Sequence, residues 1–246
     1  MALIHSFEKN GNFLFKHRGQ IPIVLFLSAI PIIYFTDNSF LSKTAETIIV
    51  ILAVLLSIAG FLIRCYAIGK TPKGTSGRNT DKQVAETLNT SGIYSVVRHP
   101  LYLGNYLMWL GIVVFTFNIY FIIIFSLLFW IYYECIMFAE ERFLEKKFGD
   151  VFLEWSKLIP AFIPSFKRYQ KSNIPFSLKS VFRREYSGIA ATAIGFAFVD
   201  LVRVFFRDEA FYWNRLSIYV ALASIIIAFL FRILKHNHLL DEYDRS

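Results

Sequence analysis

From Leu101 to Tyr133 the chain runs for 33 residues without one charged side chain. As a single helix that run would extend about 50 Å at 1.5 Å per residue, well past a hydrocarbon core of about 30 Å. It has to break and return, and Thr116-Phe117-Asn118 is the predicted turn. The product is an antiparallel hairpin of two short helices whose outer ends come back to the same side. That topology brings Arg98-His99-Pro100, just before the run, beside Glu140-Glu141, just after it, although roughly 40 positions separate them.

The rest of the composition agrees with a chain dissolved in lipid. Hydrophobic residues make up 56% and charged residues 18%, and Phe alone occupies 27 positions, which lipid-facing helices accept without penalty. The predicted fold is all-α and polytopic. Apolar segments at 20–35, 47–69, 187–206 and 216–234 join the hairpin to give six membrane helices. No cleavable leader is expected, because Glu8, Lys9, Lys16 and Arg18 fall within the first 20 residues with no cleavage site after an apolar stretch. Cys65 and Cys135 fall in apolar stretches and read as small buried hydrophobes. No internal repeat is seen.

A net charge of +8 would suit nucleic acid if it decorated a polar fold, but here the cations gather between apolar runs, so nucleic acid is excluded in favour of membrane topology. Lys and Arg number 21 in the segments 1–20, 70–100, 139–186 and 232–246, against Lys43 and Arg207 alone in the opposite loops 37–46 and 207–213. This bias places both termini and both polar motifs in the cytoplasm. The chain divides into an N-terminal helix and loop (1–46), a core (47–170) and a two-helix C-terminal extension (171–246). The stretch Thr71 to Gly77 reads as flexible, and 139–186 as short helices joined by turns. Gly104 and Gly111 are expected to let the hairpin helices approach each other.

Pro100 suits the first turn of a helix, where its missing N–H costs nothing. Arg98 and His99 are then expected just before the helix with free backbone donors, a site for a carboxylate or phosphate. Without further context, the same residues serve as a basic anchor for lipid headgroups. Glu140 and Glu141 are either a solvated helix end paired with Lys146 or Lys147, or carboxylates that accept hydrogen bonds from hydroxyls or an amino group.

Taken together, Gly92-x-Tyr94-x-x-x-Arg98-His99-Pro100-x-Tyr102-x-Gly104, then Glu140-Glu141-x-x-Leu144-x-x-x-Phe148-Gly149, then Trp155, Pro160 and Pro164 resemble the isoprenylcysteine carboxyl methyltransferase and phospholipid methyltransferase family of integral membrane enzymes. The resemblance covers roughly Leu52 to Pro164. It implies S-adenosyl-L-methionine as methyl donor, held by Tyr94, His99, Pro100, Tyr102 and Glu140, with Arg98 orienting the pocket or an anionic acceptor. The implied acceptor is an amphiphilic membrane substrate methylated on oxygen, or on nitrogen or sulfur as alternatives. Two departures matter. Glu86 stands where the carboxyl methyltransferases have a histidine, and Ile136 stands where they have a substrate-associated arginine. The prenylcysteine carboxylate thereby loses ground to a lipid phosphate.

Methyl transfer from a sulfonium is an in-line displacement, so positioning and dryness matter more than a base, and an anionic acceptor needs none. No dinucleotide fingerprint is present, since Gly74 and Gly77 precede no strand. Of the remaining polar residues, Arg64 is expected to snorkel to headgroups or contact the donor. Asp200 and Arg203 are expected to pair with each other, and His236 and His238 to belong to a solvated terminus with no metal. The contrasting functional class is a non-catalytic scaffold that binds lipid or a partner through its basic face. A transporter is disfavoured by the scarcity of intramembrane charge. The oligomeric state is not set by these patterns.

Overall fold

The computed structural model describes residues 2–19, 21–37, 41–72, 74–75 and 83–242, and side chains throughout these except at 21–23, 25 and 26. Among the described residues eight α-helices follow one another: α1 (Leu3–His17), α2 (Ile21–Tyr34), α3 (Lys43–Gly69), α4 (Pro100–Val114), α5 (Ile119–Phe148), α6 (Asp150–Leu158), α7 (Leu178–Asp208) and α8 (Leu216–His236). Four of them, α3, α5, α7 and α8, are long and apolar enough to cross a membrane, and α4 is a shorter apolar helix. With α2, these are the six apolar helices the sequence predicts. α3 and α8 leave Ile51, Leu55, Leu62, Ile226 and Phe229 about half exposed or more, as a surface facing acyl chains requires.

The hairpin forms at the expected place. α4 ends at Val114, Phe117 takes a left-handed φ of 60°, and Asn118 caps α5 by accepting a 2.9 Å hydrogen bond from the Phe121 N–H. Asn118 also donates to the Thr36 hydroxyl at 2.7 Å, pinning the turn to the end of α2. The two helices are unequal, however. α5 runs unbroken for 30 residues, about 45 Å, so Glu140 and Glu141 sit on its last turns and not after it. It stops at Gly149, whose φ of 54° suits a residue without a side chain and lets α6 begin at once.

Gly104 and Gly111 do not face the hairpin partner. A methyl group on Gly104 would lie 2.8 Å from the Gly60 carbonyl oxygen, and one on Gly111 2.4 Å from the Ala53 carbonyl oxygen, so both small residues press α4 against α3. The Ser57 hydroxyl donates to the Met108 carbonyl across this seam at 2.8 Å. α4 and α5 are spaced instead by aromatic side chains, with Tyr106, Phe129, Tyr133 and Phe162 in contact. α1, which lies within the predicted N-terminal segment, packs along α5: Gly11 meets the Cys135 carbonyl, Phe15 is buried, and Glu8 pairs with Lys146.

The C-terminal extension begins earlier than its apolar pattern. α7 starts at Leu178, nine residues before the predicted 187, capped by Ser177, whose hydroxyl accepts from the Ser180 N–H at 3.0 Å. The added turns contain Arg183, Arg184 and Glu185, of which the last two are buried. At the opposite end, Asp200 does not pair with Arg203. It accepts two hydrogen bonds from Arg215, at 2.6 and 2.7 Å, and one from Ser217, while the Arg203 guanidinium lies 3.7 Å over the Phe117 ring. The flat guanidinium gains more from the turn's aromatic face than from a carboxylate already filled by a bidentate partner. His238 bonds Asp241 at 2.7 Å, and the two thiols are free and half-buried, not fully enclosed. Of the predicted flexible stretch Thr71 to Gly77, residues 73, 76 and 77 lie outside the described residues. Thr75 pairs with Ala85 in an isolated bridge.

Candidate functional site

The segment 96–99 enters α4 docked on the loop that follows α6. The N–H of Arg98 donates to the Pro160 carbonyl at 2.9 Å, that of His99 to the Ala161 carbonyl at 3.1 Å, and Ser165 returns a bond to the Val96 carbonyl at 3.0 Å. The expected free donors before the helix are therefore absent. Backbone amides entering a buried position have to be satisfied, and the neighbouring loop does so here. Pro100 then starts α4 at N1 and is fully enclosed.

What this docking presents is side chains. The Arg98 guanidinium grips Glu141 through Nε at 2.8 Å and Nη2 at 3.2 Å, and Nη1 donates to the Ser156 and Ile159 carbonyls, both at 2.6 Å. Arg98 thus fastens the end of α5 to the end of α6. His99 stands between the two glutamates, with Nε2 2.8 Å from Glu141 and Nδ1 3.5 Å from Glu140. Only the imidazolium has a proton on each nitrogen to offer to both carboxylates. Burial pulls its pKa down, but the hydrogen bonds to Glu140 and Glu141 outweigh burial and hold it above the ordinary histidine value. Glu140 also accepts from the phenol of Tyr102, in the first turn of α4, at 2.6 Å.

These groups wall a cavity of about 280 Å³ lined by Tyr94, Arg98, His99, Pro100, Tyr102 and Glu140 together. The hairpin has brought every predicted site residue to one space. Tyr94 reaches it from a 3-10 turn at Gly92–Ser95, and burial raises its phenol pKa, so the hydroxyl stays protonated near neutrality. Two donors on the cavity wall, Gln83 Nε2 and Trp155 Nε1, are buried with no hydrogen-bond partner among the described residues, which a polar ligand would supply. Glu86 does not line the cavity, and its side chain packs over Gly74; Ile136 is wholly buried in the helix core.

Among the lining residues that the sequence did not single out are Asn105, Tyr133 and Arg18. Asn105 donates to the Tyr133 hydroxyl at 3.2 Å and accepts from Arg64 Nη1 at 2.6 Å, making the cavity floor. Arg64 does not snorkel. It crosses Gly104, bonds the Leu101 carbonyl at 3.2 Å, and closes a bidentate pair with Glu185 of α7 at 2.8 and 2.6 Å. Helical spacing places Leu101 and Asn105 on one face, but nothing local in the sequence points from α3 to α7.

The comparisons bear on this geometry. Residues 48–151 match the model of the phospholipid methyltransferase family. That segment contains Tyr94, Arg98, His99, Pro100, Tyr102 and Glu140. Over that segment, less than half of its length, the chain is similar to the phospholipid methyltransferases. The chain is similar to a protein-S-isoprenylcysteine O-methyltransferase of Schizosaccharomyces pombe, 36% identical over 89 residues, which is 36% of each chain. It is similar to the cobalt-zinc-cadmium resistance protein CzcN of Cupriavidus metallidurans, 38% identical over 34% of this chain and 38% of that one. It also matches the nickel-cobalt-cadmium resistance protein NccN of Alcaligenes xylosoxydans xylosoxydans, 27% identical over 66% of this chain and 71% of that one. The chain spans little more than a third of the first two relatives' length. No solved structure matches. Among the described residues no group of three or more His, Cys, Asp or Glu is placed to hold a metal ion. The family segment ends before Trp155, yet the loop 159–165 docks on its Arg-His-Pro motif, so the site extends beyond that segment.

Proposed function

We propose that this protein transfers a methyl group from S-adenosyl-L-methionine to an oxygen, carboxylate or phosphate, of a membrane-embedded lipid or lipidated acceptor. The observation that carries the reading is the single cavity in which Tyr94, His99, Pro100, Tyr102 and Glu140 meet, inside the family segment and at the ends of apolar helices. Its volume of about 280 Å³ is near the lower end of small-molecule sites, which run from about 300 to 1,000 Å³.

The donor set fits the methyl donor. Glu140, held by Tyr102 and His99, has lone pairs left for ribose hydroxyls or an ammonium group, and Gln83 and Trp155 offer N–H groups to acceptors. Tyr94 and Pro100 shape the wall. When bound, the donor supplies an electrophilic methyl on a sulfonium. The chain's own part is to exclude water and to hold the acceptor oxygen about 3 to 3.5 Å from that carbon. Four of the five Arg98 N–H groups are already spent on Glu141, Ser156 and Ile159, so its role in this reading is to orient the pocket by fixing the Glu140-Glu141 end of α5. The excess of cations at this end of the bundle supports a cytoplasmic site and cytoplasmic termini.

Calorimetry on the full chain in detergent, with S-adenosyl-L-methionine and its demethylated product, tests the donor. Binding by the wild type, lost in His99→Ala and Glu140→Ala, is expected. A wild type that binds neither compound returns the chain to the scaffold alternative. Incubating membranes with a labelled methyl donor then finds the acceptor: label in an anionic lipid fits a phosphate, label in protein a prenylated carboxylate.

A further inference from the structure

We infer that Glu185, from the C-terminal extension and outside the family segment, sets the charge of the cavity floor by neutralising Arg64, and so lets the site accept a cationic sulfonium. The inference rests on the methyl-donor reading above. Arg64 lines the cavity and remains cationic at any ordinary pH. Its carboxylate partner lies outside the matched segment 48–151. It comes from α7, where Glu185 is 1% exposed and each of its oxygens takes one Arg64 hydrogen bond, at 2.6 and 2.8 Å. The remaining Arg64 contacts, to the Leu101 carbonyl and Asn105 Oδ1, are neutral acceptors and leave the charge uncancelled.

A guanidinium facing the cavity would repel a ligand that carries its own positive charge. It would act much less on the same ligand after the methyl has gone, because the product is an uncharged thioether at that atom. Glu185 is thus a positioning residue that works through Arg64: it holds the guanidinium across Gly104 and cancels its field. The extension beyond 171 is on this account part of the site, although the resemblance stops before it.

The ratio of the two dissociation constants, donor over demethylated product, reads the charge directly and is insensitive to a general loosening of the fold. Glu185→Gln keeps the size of the side chain and removes the charge. Two unit charges about 10 Å apart at an effective dielectric of about 20 alter affinity about ten-fold, so the ratio is expected to rise by that order. Arg64→Met, which removes the cation, shifts the ratio the other way, and Arg64→Met with Glu185→Leu returns it toward the wild-type value even if both affinities fall. If Glu185→Gln proves too unstable to purify, the Arg64→Met variant and the double variant carry the test. A ratio that stays constant across the variants, while the wild type binds both ligands, overturns the inference and leaves the donor reading standing. A wild type that binds neither ligand overturns the donor reading and this inference with it.

Discussion

The Tyr102 phenol donates a 2.6 Å hydrogen bond to Glu140, joining the first turn of α4 to the last turns of α5 across the open end of the hairpin. The bond exists because α4 and α5 turn back on each other at 115–118. It leaves one carboxylate oriented on the cavity wall, where an uncompensated negative charge would otherwise turn to solvent.

Tyr102→Phe therefore removes the donor and keeps the ring that stacks on His99. A hydrogen bond to a charged group is worth about 1.5 to 3 kcal/mol, and about 1.4 kcal/mol is ten-fold in affinity. Methyl-donor affinity should fall about ten-fold by calorimetry, with a fall in melting temperature of about 3 to 12 °C. An unchanged affinity would mean that Glu140 needs no help to face the ligand.

His99 gives the stability a pH dependence of known sign. Its pKa is raised in the fold, since hydrogen bonds to Glu140 and Glu141 outweigh the opposing effect of burial, so the folded state holds the proton more tightly than the unfolded chain. The stabilisation is complete below the unfolded value of about 6.5 and is lost as pH rises through the higher folded value. Thermal melts in detergent between pH 6 and 9 should show the wild type losing stability with rising pH, with a shallower slope in His99→Asn. Parallel slopes would show that His99 is not protonated between its glutamates.

Much of this site was legible before folding because the constraint was physical. An apolar run too long for one crossing must turn, and turning brings Arg98-His99-Pro100 to Glu140-Glu141 whatever the details. The direction of single groups was not legible. The amides of Arg98 and His99 looked available until the loop at Pro160 and Ala161 supplied carbonyls, a contact that local pattern does not encode. Arg183, Arg184 and Glu185 fell in the stretch read as short helices joined by turns, because charge masks the start of the long helix, and only the tertiary partner on α3 explains why a carboxylate is buried on α7. Arg203 and Asp200 were close in sequence, yet each found a better partner in space.

Arg98 should matter first to the integrity of the site. Its side chain is 15% exposed, and it holds Glu141 together with the carbonyls of Ser156 and Ile159. Truncation leaves a largely buried carboxylate and two carbonyls unsatisfied, a loss of about 3 kcal/mol. Arg98→Ala is expected to lower the melting temperature by about 6 to 12 °C, and Arg98→Lys by less. Ligand affinity should fall with it. A variant that melts like the wild type but no longer turns over would instead return Arg98 to direct contact with the acceptor.

The seam between α3 and α4 tolerates no bulk. A methyl on Gly111 would stand 2.1 Å from the Ser57 hydroxyl and 2.4 Å from the Ala53 carbonyl oxygen, and the backbone there cannot give way as a flexible side chain would. Gly111→Leu should cost upward of about 1 to 3 kcal/mol. Because α3 carries Arg64 and α4 carries Tyr102, it should weaken donor binding from a distance as well. Purified Gly111→Leu with wild-type melting and binding would show that the two helices can part without consequence.

Asp200 provides the contrast with Glu185, since both are buried acids on α7 with a bidentate arginine. They lie 15 residues apart, about 22 Å along the helix. Asp200 serves the far end of the bundle, where Arg215 and Ser217 tie the start of α8 to α7. Arg215 is a third exposed, so water shares its charge and the loss on Asp200→Asn should be about 2 kcal/mol, seen as a fall of about 4 to 8 °C in melting temperature. The affinity ratio of donor to demethylated product should not move, because the substitution is remote from the cavity floor. If Asp200→Asn shifted that ratio as Glu185→Gln is expected to, the effect would belong to the stability of α7 as a whole, and not to the charge beside Arg64.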